Sequence, residues 1–212
     1  MARTVQSQSG KPEPELALVA PAKRRRVRAD ALRNVDALLA GAVRAFKRSG
    51  VDAPAREVAA EAGVGVGTMY RHFPKRSDLV AAVFRSEVDA CEAAAATLAT
   101  DHAGEPLAAL RAWLYRYMDF IVTKRGLASA LHSGDDAFVD LHEYFDARLG
   151  PALASLIDDA VRAGEIAPAL PAHTLLHAVR SLCVPDDDGS VDHTRPVIDL
   201  IIEGMQHRVE QL

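Results

Sequence analysis

Residues 57–74 read EVAAEAGVGVGTMYRHFP. Gly63, Gly65 and Gly67 stand at every second position, with helix-prone apolar sequence on both sides. Glycine permits the left-handed backbone that ends a helix, so Gly63 marks the end of one. Gly65 and Gly67 remove side chains where the next begins, and Pro74 blocks its continuation. The stretch therefore predicts a short helix, a tight turn and a second short helix. A bare corner between two helices would use glycine in the same way. The chemistry of the second helix separates the two readings. Its first turn exposes little beyond backbone, Val66 and Thr68, so it can approach a base edge closely. Tyr70, Arg71 and His72 follow, with Lys75 and Arg76 just beyond. Hydroxyls, imidazoles and cations are the groups that bond phosphate oxygens.

Working outward, the pattern is helical from Ala29 to Ser49. Leu32, Val35, Leu38, Leu39, Ala42, Val43 and Phe46 recur at spacings of three and four, and Gly50 follows the last turn. A helix starting at Pro54 runs through AREVAAEA, since proline's missing N–H costs nothing in a first turn. After Pro74 a longer helix opens at Lys75 or Ser77. It carries Leu79, Val80, Val83, Phe84, Val88 and Cys91. Upstream, residues 1–27 hold three prolines and no helical period. They read as a flexible arm ending in Lys23, Arg24, Arg25, Arg26 and Arg28. Such a cluster is either a solvated tail or an arm reaching DNA phosphates or the minor groove.

The bulk numbers agree with an all-α chain. Of 212 residues, 49% are apolar and only 5% aromatic, and windows with strand-like alternation are few. Cys91 and Cys183 make no metal-ligand spacing and read as buried free thiols. No stretch approaches a membrane span and no signal-peptide core is present, which predicts a cytoplasmic protein with no membrane partner. Charge is divided unevenly. Residues 1–85 carry 16 Lys/Arg against 8 Asp/Glu, while residues 86–212 carry 9 against 21. The basic part suits a polyanion and the acidic part would be repelled by one.

Residues 86–212 read as further helices. PLAALRAWLYRYMDFIVTK sets Leu107, Leu110, Trp113, Leu114, Tyr117, Phe120 and Ile121 on one apolar stripe. GLASALHS reads as a separate short helix ended by Gly134. The segment from Ala137 to Ile166 is long, and Gly150-Pro151 near its middle should kink or break it. A helix with Ala172 to Val184 as its body, an acidic PDDDGS loop and a final amphipathic helix close the chain. His173 and His177 are four apart on one helix, which permits metal binding, but no third ligand is in view; a surface or interface role suits them better, and no metal is expected.

The run VAAEAGVGVGTMYRHFPKRSDLV, Val58 to Val80, resembles the TetR family of transcriptional regulators. Val58, Ala59, Ala62, Gly63, Val64, Gly67, Thr68, Met69, Tyr70, His72, Phe73 and Leu79 fit the family pattern, and the resemblance extends over about residues 28–90. It departs at Gly65, where the family often has Ser, at Arg76, where Lys is usual, and at Ala53, where an N-capping Thr is common. The later helices and the VPDDDG break look like the branch with an SbtR-like C-terminal domain.

The resemblance implies an N-terminal three-helix DNA-binding domain with a helix-turn-helix, residues 28–75. It implies a helical effector-binding and dimerisation domain, residues 76–212. Val66, Gly67 and Thr68 would face base edges. Tyr70, His72 and Arg76 would clamp phosphates, with Lys75 just beyond. Arg71 would do either, and Arg56 would touch backbone or base. Val58, Val64, Met69, Phe73 and Leu79 would form the small core beneath. The last two long helices would pair with a second copy through Leu175, Leu176, Val179, Leu182, Val197, Leu200, Ile201 and Met205, unless these are the chain's own core. Candidates for a small-molecule effector site are Trp113, Tyr117, Phe120, His132, His142, Tyr144 and Phe145, which mix apolar bodies with polar handles.

The function so implied is a homodimeric regulator of double-stranded DNA. It is read as a repressor released from a palindromic operator by an effector whose identity the sequence does not give. An architectural or low-specificity DNA-binding protein is the alternative, against which the acidic half argues. No nucleophile–base set, paired-carboxylate site or metal box emerges, and GVGVG lacks the preceding strand of a dinucleotide fold. The expectation is no enzyme and no cofactor.

Overall fold

The computed structural model describes residues 21–131, 136–167, 170–183 and 191–207, with side chains from residue 32 onward except within 123–131 and at 207. The PDDDGS loop, His132 and residues 1–20 of the expected arm lie outside the described residues. Eight α-helices are described: α1 (Pro21–Ser49), α2 (Ala55–Glu61), α3 (Val66–His72), α4 (Arg76–Asp101), α5 (Pro106–Leu131), α6 (Leu141–Arg162), α7 (Ala172–Leu182) and α8 (Thr194–His207). A 3-10 turn at Asp136–Phe138 precedes α6, and no strand occurs among the described residues.

Three boundaries differ from the sequence reading. Helix α1 begins at Pro21, so the Lys23–Arg28 cluster belongs to a helix and not to an extended arm. Proline is pre-set for a first helical position, and Ala, Lys and Arg are strong helix formers. Helix α5 runs through Gly126 to Leu131 without the expected break, since one interior glycine costs a helix only about 1 kcal/mol. Of the kink or break expected at Gly150-Pro151, the break does not occur: helix α6 continues through Pro151. Leu149 and Leu153, on either side of it, are fully buried, and their packing holds the helix where one backbone hydrogen bond is lost.

The core is one contiguous cluster from Leu38 on α1 through α4 and α5 to Met205 on α8. Val58, Met69, Phe73 and Leu79 are buried beneath the helix-turn-helix, and Val64 packs against them half-buried. Helix α4 is shared. It packs on α1 at one end and most extensively on α5 and α6 along its length. Its start is fixed by Asp78, whose carboxylate accepts the Lys75 backbone N–H at 3.0 Å, half of a capping box. At the other end of the chain, Thr194 Oγ1 donates to the Leu182 carbonyl at 3.0 Å. That bond joins the start of α8 to the end of α7.

Candidate nucleic-acid interface

The turn between α2 and α3 is built by Gly63 with φ +67°. Its N–H donates to the Ala60 carbonyl at 3.1 Å, and the Val64 N–H to the Ala59 carbonyl at 3.0 Å. These are the two bonds of a Schellman motif, which satisfies the last carbonyls of α2. Gly65 is different. Its φ of −73° suits any residue, and a Cβ there or at Gly67 would meet no atom within 4 Å. Nothing inside the chain requires glycine at these two positions; they leave the outer tip of α3 bare.

The 3.6-residue period then sorts α3. Met69 and Phe73 turn inward, while Val66 and Tyr70, and Gly67 and Arg71, turn outward. Tyr70 is 51% exposed. Thr68 and His72 sit half-buried on the flanks, and Arg56, Lys75 and Arg76 are exposed. All nine residues singled out for DNA lie on or beside this short helix or on α2. Three of their side chains, those of Thr68, Arg71 and Arg76, are engaged within the chain. Arg71 Nε donates to the Gly67 carbonyl at 3.2 Å and its Nη2 to Thr68 Oγ1 at 3.0 Å, so the guanidinium folds over the first turn of its own helix. Arg76 Nη2 donates to the Ala53 carbonyl at 2.9 Å and its Nε lies 4.0 Å from Asp52. Arg76 thus ties the start of α4 to the α1–α2 turn.

Sequence reasoning missed a second set of residues. Arg44 and Arg48 on α1 face Glu57 and Glu61 on α2. Hydrogen bonds from Arg48 and then Arg44 hold the Glu61 carboxyl below its ordinary range; Ser49 and then Arg48 do the same for Glu57. The signal lay in two i, i+4 pairs of opposite sign, 44/48 and 57/61, which the apolar periods overshadowed.

In the C-terminal half, four of the effector candidates pack on one another. Trp113 and Tyr117 stack with centroids 5.7 Å apart, and Phe120 and Phe145 follow at 6.2 Å. Their polar handles are used internally. Trp113 Nε1 donates to the Cys91 carbonyl at 2.9 Å and the Tyr117 hydroxyl to the Leu176 carbonyl at 3.2 Å. The Cys91 thiol is buried and pushed up to about 12, so it stays protonated. Tyr144 is half-buried and donates to Asp89, while His142 is exposed. An open cleft of about 430 Å³ lies elsewhere, lined by Ala99, His102, Pro106, Leu156 and Arg162 among others, and none of the six described candidates lines it.

The eight dimer candidates divide. Leu175, Leu176, Val179 and Met205 are at most 5% exposed and belong to the chain's own core, so they have no surface left for a partner. Leu182, Val197 and Ile201 keep partial exposure, and Leu200 is 65% exposed. Helical period explains the split: on α8 the inward positions are Ile198, Ile202 and Met205, and the candidate stripe straddled that edge. Among the described residues no group of three or more His, Cys, Asp or Glu could hold a metal ion, and no helix is long and apolar enough to cross a membrane.

Comparison with known proteins gives a consistent family. Residues 38–83 match the bacterial regulatory proteins of the tetR family, and residues 105–207 match the C-terminal domain of SbtR-like transcriptional regulators. A TetR transcriptional regulator of Streptomyces coelicolor is 34% identical, with 81% of this chain and 98% of that one covered at a TM-score of 0.67. A TetR transcription regulatory protein of Mycobacterium vanbaalenii is 30% identical, with 85% and 99% covered and a TM-score of 0.64. A search of the curated proteins found none that matches.

Proposed function

The chain belongs to the TetR family of bacterial transcriptional regulators, with an SbtR-like C-terminal domain, and from that premise we propose a homodimeric, cytoplasmic repressor that a small-molecule effector releases from a palindromic operator. As a member it is a DNA-binding regulator and not an enzyme. The observation that carries the DNA reading is the outer face of α3. Its tip is bare of side chains at Gly65 and Gly67, the Arg71 guanidinium folds over its first turn, and the exposed Tyr70 phenol stands on the same helix. In this reading Val66, Gly67 and Thr68 meet base edges, while Tyr70, His72, Lys75 and Arg76 hold phosphates. Arg71 leaves Thr68 to reach base or backbone, and Arg56 contacts the backbone from α2.

Residues 28–75 form the reading head and residues 76–212 the effector and dimer half, with α4 common to both. The part of the dimer stripe that stays open in one chain is Leu182, Val197, Leu200 and Ile201. An exposed leucine among apolar neighbours favours a second copy of the same face, and two reading heads fixed one helical turn apart read a palindrome. The effector lies against the Trp113, Tyr117, Phe120 and Phe145 stack, with Tyr144 and His142 at its edge. Those rings already fill their space, so seating a ligand requires repacking beside α4. An effector that binds one arrangement better shifts the population toward it.

The test is binding to the intergenic DNA flanking the protein's own gene, at fixed near-physiological salt, against excess nonspecific competitor. A discrete complex that survives competitor supports the specific regulator and delivers the operator. Binding that disappears with competitor moves weight to an architectural protein.

A further inference from the structure

We infer that Arg44, Arg48, Glu57 and Glu61 form an ion-pair clasp that positions α3 for DNA, acting through the placement of α2 and not through phosphate contact. The inference rests on the DNA-reading role of α3 and adds four positioning residues outside it. Helix α2 has seven residues and no side-chain cap at its start; a helix so short does not hold itself. Helix α3 follows it after a turn that ends at Gly65. Whatever orients α2 therefore orients the reading helix.

Two contacts do so. The first is steric. A Cβ on Gly41 would lie 2.6 Å from the Ala62 nitrogen and 2.8 Å from its Cβ. The end of α2 thus rests directly on the backbone of α1. The second is ionic and lies on the same stripe of α1, three and seven residues on. Arg44 Nε lies 3.1 Å from Glu61 Oε2, and its Nη2 donates to the Glu61 main-chain carbonyl, one of the open carbonyls at the end of α2. Arg48 reaches Glu61 at 2.6 Å and Glu57 at 2.8 Å, and Ser49 Oγ donates to Glu57 at 2.7 Å. Two cations meet two carboxylates one turn apart, so rotation or sliding of α2 breaks several bonds together. The four charges cancel, and the clasp presents little net field to a polyanion.

The rival assignment makes Arg44 and Arg48, which are 54% and 57% exposed, ligands of DNA phosphate. The two assignments give Glu61→Gln opposite signs. As a phosphate site, the variant frees two arginines and removes a negative charge, so it binds every DNA more tightly. As a clasp, it loses operator affinity by about fivefold, the upper end for an exposed ion pair, and does not lose affinity for nonspecific DNA. Arg48→Gln should then behave like Glu61→Gln, with an unchanged salt slope, and the losses should not multiply in the double variant. Hydrogen exchange gives a readout that needs no operator. In Glu61→Gln the amides of residues 55–73 should exchange faster while those of α5 do not. Tighter binding of Glu61→Gln to all DNA, a lowered salt slope for Arg48→Gln, or unchanged exchange in residues 55–73 would each overturn the clasp.

Discussion

Gly41 and Arg76 show how much one position decides when two backbones nearly touch. Replacing a mid-helix glycine by alanine ordinarily adds 0.5–1 kcal/mol of stability, roughly. At Gly41 the added methyl would strike Ala62 at 2.6 Å, and overpacking of that kind costs about 1–3 kcal/mol. Gly41→Ala should therefore lower stability in chemical denaturation; a gain would mean that α1 and α2 separate without cost. Lys75 and Arg76 make a second contrast. Both are exposed, but only the Arg76 side chain holds the Ala53 carbonyl. Lys75→Ala should weaken binding to all DNA and reduce the salt slope by about 1 with stability unchanged. Arg76→Ala should do the same and also lose about 1 kcal/mol of stability, the net value of one hydrogen bond. A salt titration and a denaturation curve on each variant separate the two effects.

At the scale of the element, α2 is held from outside, and its anchoring depends on acid. The Glu57 and Glu61 carboxyls are lowered in the folded chain by Ser49 and the arginines. A carboxyl lowered on folding contributes stability above its unfolded pKa, about 4.3, and loses it as pH falls through the folded value. The double variant Glu57→Gln/Glu61→Gln should be less stable than the parent at pH 7, and the difference should shrink toward pH 3. A difference independent of pH would show that packing, and not charge, is what the carboxylates supply. Helices α2, α3 and α4 were legible in the sequence because their ends are local chemistry: Pro54, Gly63, Gly65 and Pro74. The missed boundaries have different causes: helix propensity carries α1 back to Pro21, one glycine is too weak a signal to end α5, and buried Leu149 and Leu153 hold α6 across Pro151. Gly126 read as the start of a separate helix and Gly150-Pro151 as a kink or a break, yet α5 passes through Gly126 and α6 does not break at Pro151. The clasp was illegible for a related reason. Its partners are 9–17 residues apart, and their meeting depends on the angle between two helices.

Over the whole molecule, the open and closed parts of the α7–α8 stripe give the dimer a sharp test. Leu200→Asp puts a charge at a site 65% exposed in one chain. It should leave the fold intact and shift the protein from dimer to monomer in sedimentation, with operator affinity falling as the second head is lost. Val179→Asp buries a charge at a site with no exposure and should unfold the chain instead. A Leu200→Asp protein that sediments as a dimer would place the interface elsewhere. The sequence by itself determined the helical class, the helix-turn-helix and the outward turn of Val66, Tyr70 and Arg71, because helix period and glycine conformation act within a few residues. The uneven charge of the two halves was equally plain, since charge is additive along a chain. Only the tertiary structure decided which apolar stripe is core and which stays open, and that the aromatic candidates fill one another's space. It alone decided that two arginines of α1 grip α2. Each of these depends on which surfaces meet, and a periodic stripe carries no mark of its partner.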